Sequence, residues 1–330
     1  MYEAKDTVDA PLHVITTVFN PERYKSRYKL LERFEKMVRS AGATLTIVEV
    51  AFGERQHVEP YVAAKVQSGG IPTKVITLRT RSEIWLKENA LNLGLAAVPP
   101  DAKYIAFVDA DVAFARPNWV WETVQQLQHF DVVQMFGEAI DLDPDHERLA
   151  IHKGFVWSEQ HGAPRPAKGD GYYYYPQSTQ KDGIVFWHPG YAWGWRRAAL
   201  DEVGGLLDFA VLGSADNHMA KALLGRVLES VHPGVSPAYR AALLQWQSHA
   251  LRLKHNVGYV SGELIHYWHG KKGKRGYRSR WQILVENRFD PALDLKKDWQ
   301  GLWQLTDRNP KLRDAIRNYF RSRSEDSIDV

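Results

Sequence analysis

From residue 12 to residue 111 the chain alternates short β-branched runs with helical periods, and this alternation restricts the fold more than any other feature. The run "LHVITTVF" (12–19) reads as a strand closed by Asn20 and Pro21. The following "ERYKSRYKLLERFEKMVRSAG" (22–42) has helical spacing and stops at Gly42, and "TLTIVEVAFG" (44–53) and "KVITLRT" (74–80) are a second and a third strand. In "SEIWLKENALNLGLAAVPP", Ser82 is placed to cap a helix that carries Ile84, Leu91 and Leu95 on one side and ends at Pro99 and Pro100. The fourth strand is "KYIAFVDAD". Strands joined by helices run parallel, are buried on both faces and receive ligands beyond their carboxyl ends. The expected class is therefore α/β, with a mostly parallel sheet flanked by helices.

Beyond Pro117 a helix is expected over 118–129, then a strand in "DVVQMFGEAIDL". Periodicity is lost over 143–185, which includes the run Tyr172 to Tyr175 and reads as one long functional loop. A helix near 197–203 should end at Gly204 and Gly205, and "SADNHMAKALLG" should open another, capped by Ser214 or Asp216. Residues 237–256 read as helical, "GYVSGELIHYWHG" as a strand with its loop, and 280–320 as a helical appendage. The tail "RSRSEDSIDV" is polar and expected to fray.

Composition removes several chemistries. The chain has no cysteine, which excludes disulfides, thiol catalysis and Cys-ligated zinc, so any metal must be held by Asp, Glu, His or carbonyl oxygens. No apolar run approaches the roughly 18 residues a membrane span needs, and the N-terminus is acidic where a signal peptide is basic. A soluble, cytoplasmic protein is expected. The net charge of +4 is concentrated in "HGKKGKRGYRSR" (269–280), which holds six basic residues and no acid. A patch of this kind suits the phosphates of a nucleotide or of a nucleic acid.

Three constellations carry chemistry. Asp109 and Asp111 are two residues apart at a strand end, so both carboxylates can face one point, where a divalent cation would offset their repulsion. Asp is also a common turn residue at such ends. In "HPGYAWGWRRAALDEVGGLLDFAVLGSADNHMA", Trp193 and Trp195 flank Gly194 and offer aromatic faces to a sugar or base, or to the core. Asp216, at a helix start, suits a general base or an N-cap. In "HYWHGKKGKRGYRSRW", one of His266 and His269 is expected to ligate metal while the other packs. Lys271, Lys272 and Arg275 follow to neutralise phosphate.

The segments "WLKENALNLGL", "FVDADV", "HPGYAWGWRRAALDEVGGLLD", "LGSADNHMA" and "HYWHGKKGKR", in this order, resemble the nucleotide-sugar-dependent glycosyltransferases of the GT-A fold. The similarity is to the galactosyltransferase-like group and to phage and bacterial glycosyltransferases. It covers residues 12–276 and implies a GT-A, Rossmann-like domain over 1–276. Its donor half would span about 12–115 and its acceptor half about 116–276, followed by a C-terminal helical extension and tail over 277–330. It implies that Asp109 and Asp111 form a D-x-D motif holding Mn²⁺ or Mg²⁺ on the donor diphosphate, with His269 as the late metal ligand. Thr17, Phe19, Asn20 and Arg23, with Arg27 nearby, match the nucleotide loop; Lys87, Asn89 and Asn92 match the donor-contacting helix. Trp193, Gly194 and Trp195 match the acceptor segment, and Asp216 with Asn217 the acidic motif whose carboxylate deprotonates the acceptor. Where that group has consecutive acids, this chain has Ser214, Ala215, Asp216 and Asn217, leaving Asp216 alone.

These residues together lead to the expectation of a metal-dependent glycosyltransferase that takes a nucleoside diphosphate sugar, with UDP the expected nucleotide. The expected acceptor is a hydroxyl, with a 5-hydroxymethylpyrimidine in phage DNA set beside polysaccharide, lipid-linked and protein acceptors. The competing class is a non-catalytic nucleic-acid-binding protein using residues 269–280, which leaves Asp109, Asp111 and Asp216 without a role.

Overall fold

A computed structural model of the chain describes residues 11–54, 73–165, 180–181, 183–270, 275–277, 279–323 and 325–328. Its first third follows the alternation. The elements are β1 (Leu12–Phe19), α1 (Lys25–Ser40), β2 (Thr44–Phe52), β3 (Thr73–Thr80), α2 (Lys87–Ala96) and β4 (Tyr104–Val108). These four strands pair in parallel in the order β4-β1-β2-β3. Strand geometry sends neighbouring side chains to opposite faces, and β1 divides its apolar residues accordingly. Val14 and Val18 join the core under α1, whereas Ile15 and Phe19 join the core under α2.

The middle of the chain continues as β5 (Val112–Phe114), α3 (Trp119–Leu127), β6 (Val132–Gln134), β7 (Glu138–Leu142), β8 (Arg148–Gly154) and α4 (Phe155–Gln160). Then come β9 (Gln180–Lys181), β10 (Ile184–His188), β11 (Ala192–Arg196), α5 (Arg197–Val203), α6 (Ala215–Leu223) and α7 (Pro237–Ala250). The chain closes with β12 (Val257–Tyr259), β13 (Glu263–His266), α8 (Arg280–Glu286), α9 (Pro291–Asp294), β14 (Leu295–Lys297), β15 (Trp303–Leu305) and α10 (Pro310–Arg321). The central sheet has seven strands, β12-β6-β11-β4-β1-β2-β3, with β11 antiparallel to both its neighbours. A second sheet, β5-β13-β7-β8-β10-β9, stands beside it. The α/β class with a mostly parallel sheet flanked by helices is thus present.

Three sequence expectations need correction. The run 131–142, read as one strand, and the run 258–270, read as a strand with its loop, each hold residues of two strands that pass from the central sheet to the second one, through Gly137 and Gly262. There Gly137 N donates to Gly262 O at 2.9 Å, so the two crossings are bonded to each other. Residues 143–185 are not one loop, because β8, α4 and β9 fall within them and β10 begins there; β8 leaves Leu149 exposed and buries His152, so it shows no apolar alternation. The run Tyr172 to Tyr175 lies outside the described residues. Ser82 does not cap α2: the helix begins at Lys87, and the Ser82 hydroxyl accepts from Leu305 N at 3.3 Å.

The C-terminal part also differs from the expectation. Residues 280–320 contain the hairpin β14-β15 as well as helices. The tail, read as frayed, is docked on the first turn of α1. Asp326 accepts from Lys25 N at 2.8 Å and Ser26 N at 3.0 Å, a helix N-terminus whose free amide donors favour an anion. Glu325 is buried and bound by Arg27 at 2.6 and 2.8 Å. The polar composition of the tail reflects this charge pairing.

α2 lies against the sheet so closely that a Cβ at Gly94 would sit 2.7 Å from Ile15 Cγ2 and 2.8 Å from Val48 Cγ2. Both are branched core side chains with no room to turn. Gly94→Ala is therefore expected to destabilise the protein by about 1–3 kcal/mol despite the higher helix propensity of alanine. Denaturant unfolding checks this, and a stabilised variant would contradict it.

Candidate active site

The site is built where β4 leaves the central sheet. After Val108 the backbone turns through Asp109, Ala110 and Asp111 and re-enters as β5 in the second sheet. Both ends of the turn are pinned: Asp109 N donates to Tyr191 O at 2.8 Å, and Tyr267 N to Asp111 O at 2.9 Å. The two acids were expected at the end of one extended strand, facing one point. As turn residues they have different partners instead. Asp109 is ion-paired with Lys87 at the start of α2, and Asp111 Oδ2 lies 3.0 Å from His269 Nε2.

A cleft opens over this turn, lined by Asp109, Asp111, His269, Lys87, Arg275, Asp216 and Asn217, together with Thr17, Phe19 and Arg27. Residues from positions 16 to 323 thus share one wall system beyond the carboxyl ends of β1 and β4. Thr17 Oγ1 donates to Val48 O at 2.9 Å, and Phe19 packs edge-on against Trp85 at 5.0 Å. Asp216 is brought in by α6, and its Oδ1 accepts from Asn217 N at 2.8 Å. Gly190 lies beside it, where a Cβ would come 2.9 Å from Asp216 Oδ2; only glycine leaves that carboxylate its place.

Other named residues serve elsewhere. Asn20 builds the turn after β1, bonding Tyr24 N and O at 2.9 and 2.8 Å, and Arg23 lines a separate shallow depression. Asn89 receives Trp303 N at 2.9 Å and Asn92 receives Leu206 N at 2.8 Å, so both fasten α2 to later segments. Gly194 packs under Thr123 and Val133 on the far face of β11. Trp195 is core, 2 % exposed. Trp193 and Trp195 line a small apolar recess that shares Asp216 and Glu88 with the main cleft. Lys271 and Lys272 lie outside the described residues.

The donor atoms suit a cation. Asp111, His266 and His269 each offer a ligand atom within 4.8 Å of the others. His266 Nε2 is 3.1 Å from His269 Nε2 and 3.9 Å from Asp111 Oδ2. Ligands about 2.1 Å from an ion lie about 3.0 Å apart when adjacent in an octahedron; the two separations at His269 Nε2, 3.0 Å to Asp111 Oδ2 and 3.1 Å to His266 Nε2, match that edge. Asp111 Oδ1 is buried and has no hydrogen-bond partner among the described residues, as an oxygen reserved for a ligand would be. The Nε2 atoms of both histidines turn toward each other and toward Asp111; one of the two was expected to ligate and the other to pack. Asp109, bound to Lys87, stands outside this set of three. Arg275 Nη2 is 3.1 Å from His269 Nε2 and adds positive charge at the same point.

Burial pushes Asp109 up to about 6, with Asp111 and Asp216 adding to the rise and Lys87 opposing it. Asp111 also suffers burial, but His269, His266 and Arg275 outweigh it and hold the carboxyl well below the usual range. Burial, then the nearby Asp216 and Asp109, push Glu88 up to about 7 against the pull of Lys87. Glu88 was missed from sequence although its neighbours Lys87 and Asn89 were named. A carboxylate in the first turn of a helix looks like a solvated dipole partner until the fold covers it, as it covers most of α2. Asp141 and Glu325 were missed as well, since nothing local distinguishes them from other surface charges, whereas Arg280 belongs to the basic run 269–280.

No family model and no curated protein matches the chain. Solved structures align with most of the chain at low identity. The mannosyltransferase PcManGT of Pyrobaculum calidifontis, in complex with GDP-Man and Mn²⁺, is 12% identical; the match covers 96% of this chain and 74% of that one, at a TM-score of 0.45. S. aureus TarS 1–349 is 12% identical over 95% of this chain and 71% of that one, with a TM-score of 0.39. The 4-diphosphocytidyl-2C-methyl-D-erythritol synthase of Anaerococcus prevotii is 12% identical over 77% and 90%, at 0.33. Likenesses this distant carry no weight for chemistry, which rests on the geometry above.

The folded Glu88 keeps its proton up to about 7 and the unfolded chain loses it near 4.5, so its contribution to stability is complete below about pH 4.5 and is lost as pH rises to 7. Glu88→Gln does not titrate. Its stability relative to wild type should therefore increase between about pH 5 and pH 8, by a few kcal/mol at most. Urea melts at both pH values test this; a difference independent of pH would contradict it.

Proposed function

We propose that this protein is a metal-dependent glycosyltransferase of the GT-A type, taking a nucleoside diphosphate sugar as donor and a hydroxyl as acceptor. The observation that carries the reading is the single cleft at the carboxyl edge of the parallel strands. It joins a carboxylate–imidazole donor set (Asp111, His266, His269) to a wall of cations (Lys87, Arg27, Arg275, Arg280) and a separate carboxylate, Asp216. A divalent ion held at Asp111 and His269 would supply charge neutralisation to a diphosphate leaving group. The protein's own cations would share that task, because developing negative charge on the leaving oxygen is best met by groups already in place.

Asp216 lines the same cleft as the donor set without belonging to it, which supports its role as the base that takes the acceptor's proton. Trp193, in the adjoining recess, supports an apolar face for the acceptor. UDP is the proposed nucleotide, seated along Thr17, Phe19 and Trp85, where an aromatic pair offers a stacking surface. Arg275 and Arg280 are 8 % and 7 % exposed and line the cleft, so these two members of the basic run address an anion inside it. That favours the enzyme over a nucleic-acid binder that meets a duplex on its surface. A 5-hydroxymethylpyrimidine in DNA is one acceptor whose primary hydroxyl would suit Asp216, and glycan hydroxyls are others.

Donor hydrolysis and transfer, measured with UDP, GDP and ADP sugars, Mn²⁺ and either hydroxymethylated DNA or an oligosaccharide, tests the reading. Asp111→Ala should lower turnover at saturating donor by about 100-fold or more. Turnover equal to wild type, or salt-sensitive DNA binding with no response to any nucleotide, would overturn it.

A further inference from the structure

One buried carboxylate has no part in the chemistry above. Asp141, 1 % exposed, sits in the middle of β7 between two histidines on the neighbouring strands. β13 pairs with β7 so that His266 is directly opposite Asp141, and β8 flanks it on the other side with His152. His266 Nδ1 lies 2.9 Å from Asp141 Oδ1, His152 Nε2 lies 2.6 Å from Asp141 Oδ2, and the Tyr191 hydroxyl donates to Oδ1 at 2.8 Å. An ionised carboxylate only accepts, so both imidazoles must present N–H to it. His266 is thereby fixed with its proton on Nδ1, and its Nε2 lone pair is turned out toward Asp111 and His269. Rotation of the ring is blocked as well: Tyr191 stacks on it at 4.6 Å and 27°, and His188 stacks behind Tyr191 at 4.0 Å and 18°.

We propose that Asp141 is the positioning residue of the metal centre, a carboxylate that holds the tautomer and orientation of His266 so that this second imidazole binds the cation. This rests on the reading of Asp111 and His269 as metal ligands. It adds a consequence about which ion is bound. Two imidazoles and one carboxylate favour Mn²⁺, Co²⁺ and related transition ions over Mg²⁺, which prefers oxygen ligands and keeps its water. Outer carboxylates that orient a ligating histidine strengthen metal binding by about 10- to 100-fold.

Asp141→Asn preserves shape but offers one oxygen and one amide NH₂ where two oxygens stood. One of the two rings must then reverse its tautomer, and the charge that raises ligand basicity is gone. Mn²⁺ affinity, measured without nucleotide from the free-ion electron paramagnetic resonance signal, is expected to fall about 10- to 100-fold in Asp141→Asn. Affinity for Mg²⁺, measured by competition, should change by much less. Nitrogen couplings to bound Mn²⁺ should report two imidazoles in wild type and one in His266→Ala. Should Asp141→Asn not fold, Tyr191→Phe removes only the hydroxyl that steadies Asp141, and a few-fold loss of Mn²⁺ affinity is expected. Unchanged Mn²⁺ affinity in whichever of these folds, with Asp111→Ala still abolishing binding, overturns the role of Asp141 and leaves the function standing. Failure of wild type to bind Mn²⁺ at all overturns both.

Discussion

The site depends on one seam, the backbone hydrogen bond from Tyr267 N to Asp111 O, which extends the β5–β13 pairing into the turn that follows β4. β4 belongs to the central sheet and β13 to the second, so this contact brings the turn that carries the acids beside the end of β13, where His266 and His269 stand. Their positions are about 155 residues apart in the chain. The loop-closure cost of such a contact is met by the two sheets that it joins, each bonded along its length. Chemistry then follows from placement, since donor atoms that converge at a sheet's carboxyl edge are held by backbone geometry before any ligand arrives.

The charges around that seam are balanced from the far end of the chain. Glu325 is enclosed by Arg27 and by Arg323, whose Nε is 2.8 Å away, and its ring-facing oxygen lies 3.9 Å from His269 Nδ1. Burial alone would raise this carboxyl, but the two guanidinium groups hold it well below its usual value. It keeps a cation-rich cleft from repelling itself, and it does so at the ring nitrogen of His269 that points away from Asp111. The C-terminal segment is in this sense part of the site's wall, joined to α1 through Asp326 and to β13's loop through the bond from Trp268 Nε1 to Ser327 O.

What was legible in the sequence was whatever repeats locally. The strand–helix alternation through β4 has periods that a few residues reveal, and the acids after β4 stand out because a buried strand rarely ends in two of them. What was not legible depends on pairing at a distance. The runs 131–142 and 258–270 did not show their break because the passage between sheets takes only three residues in each, 135–137 and 260–262, ending in Gly137 and Gly262. Asp141 looked like one more polar residue of an amphipathic strand; only the register that sets it opposite His266 shows that it faces inward. Asn89 and Asn92 illustrate the converse, polar residues at the right place along the chain whose side chains are taken up by Trp303 and Leu206.

The central claim is that cation and diphosphate bind at the same point, so that each needs the other. Titration calorimetry of UDP or GDP into the protein, with Mn²⁺ and then with the metal chelated, measures this directly. Nucleotide affinity at least about tenfold tighter with Mn²⁺, a dependence abolished in Asp111→Ala, is the predicted result. Equal affinity with and without the metal would contradict the account.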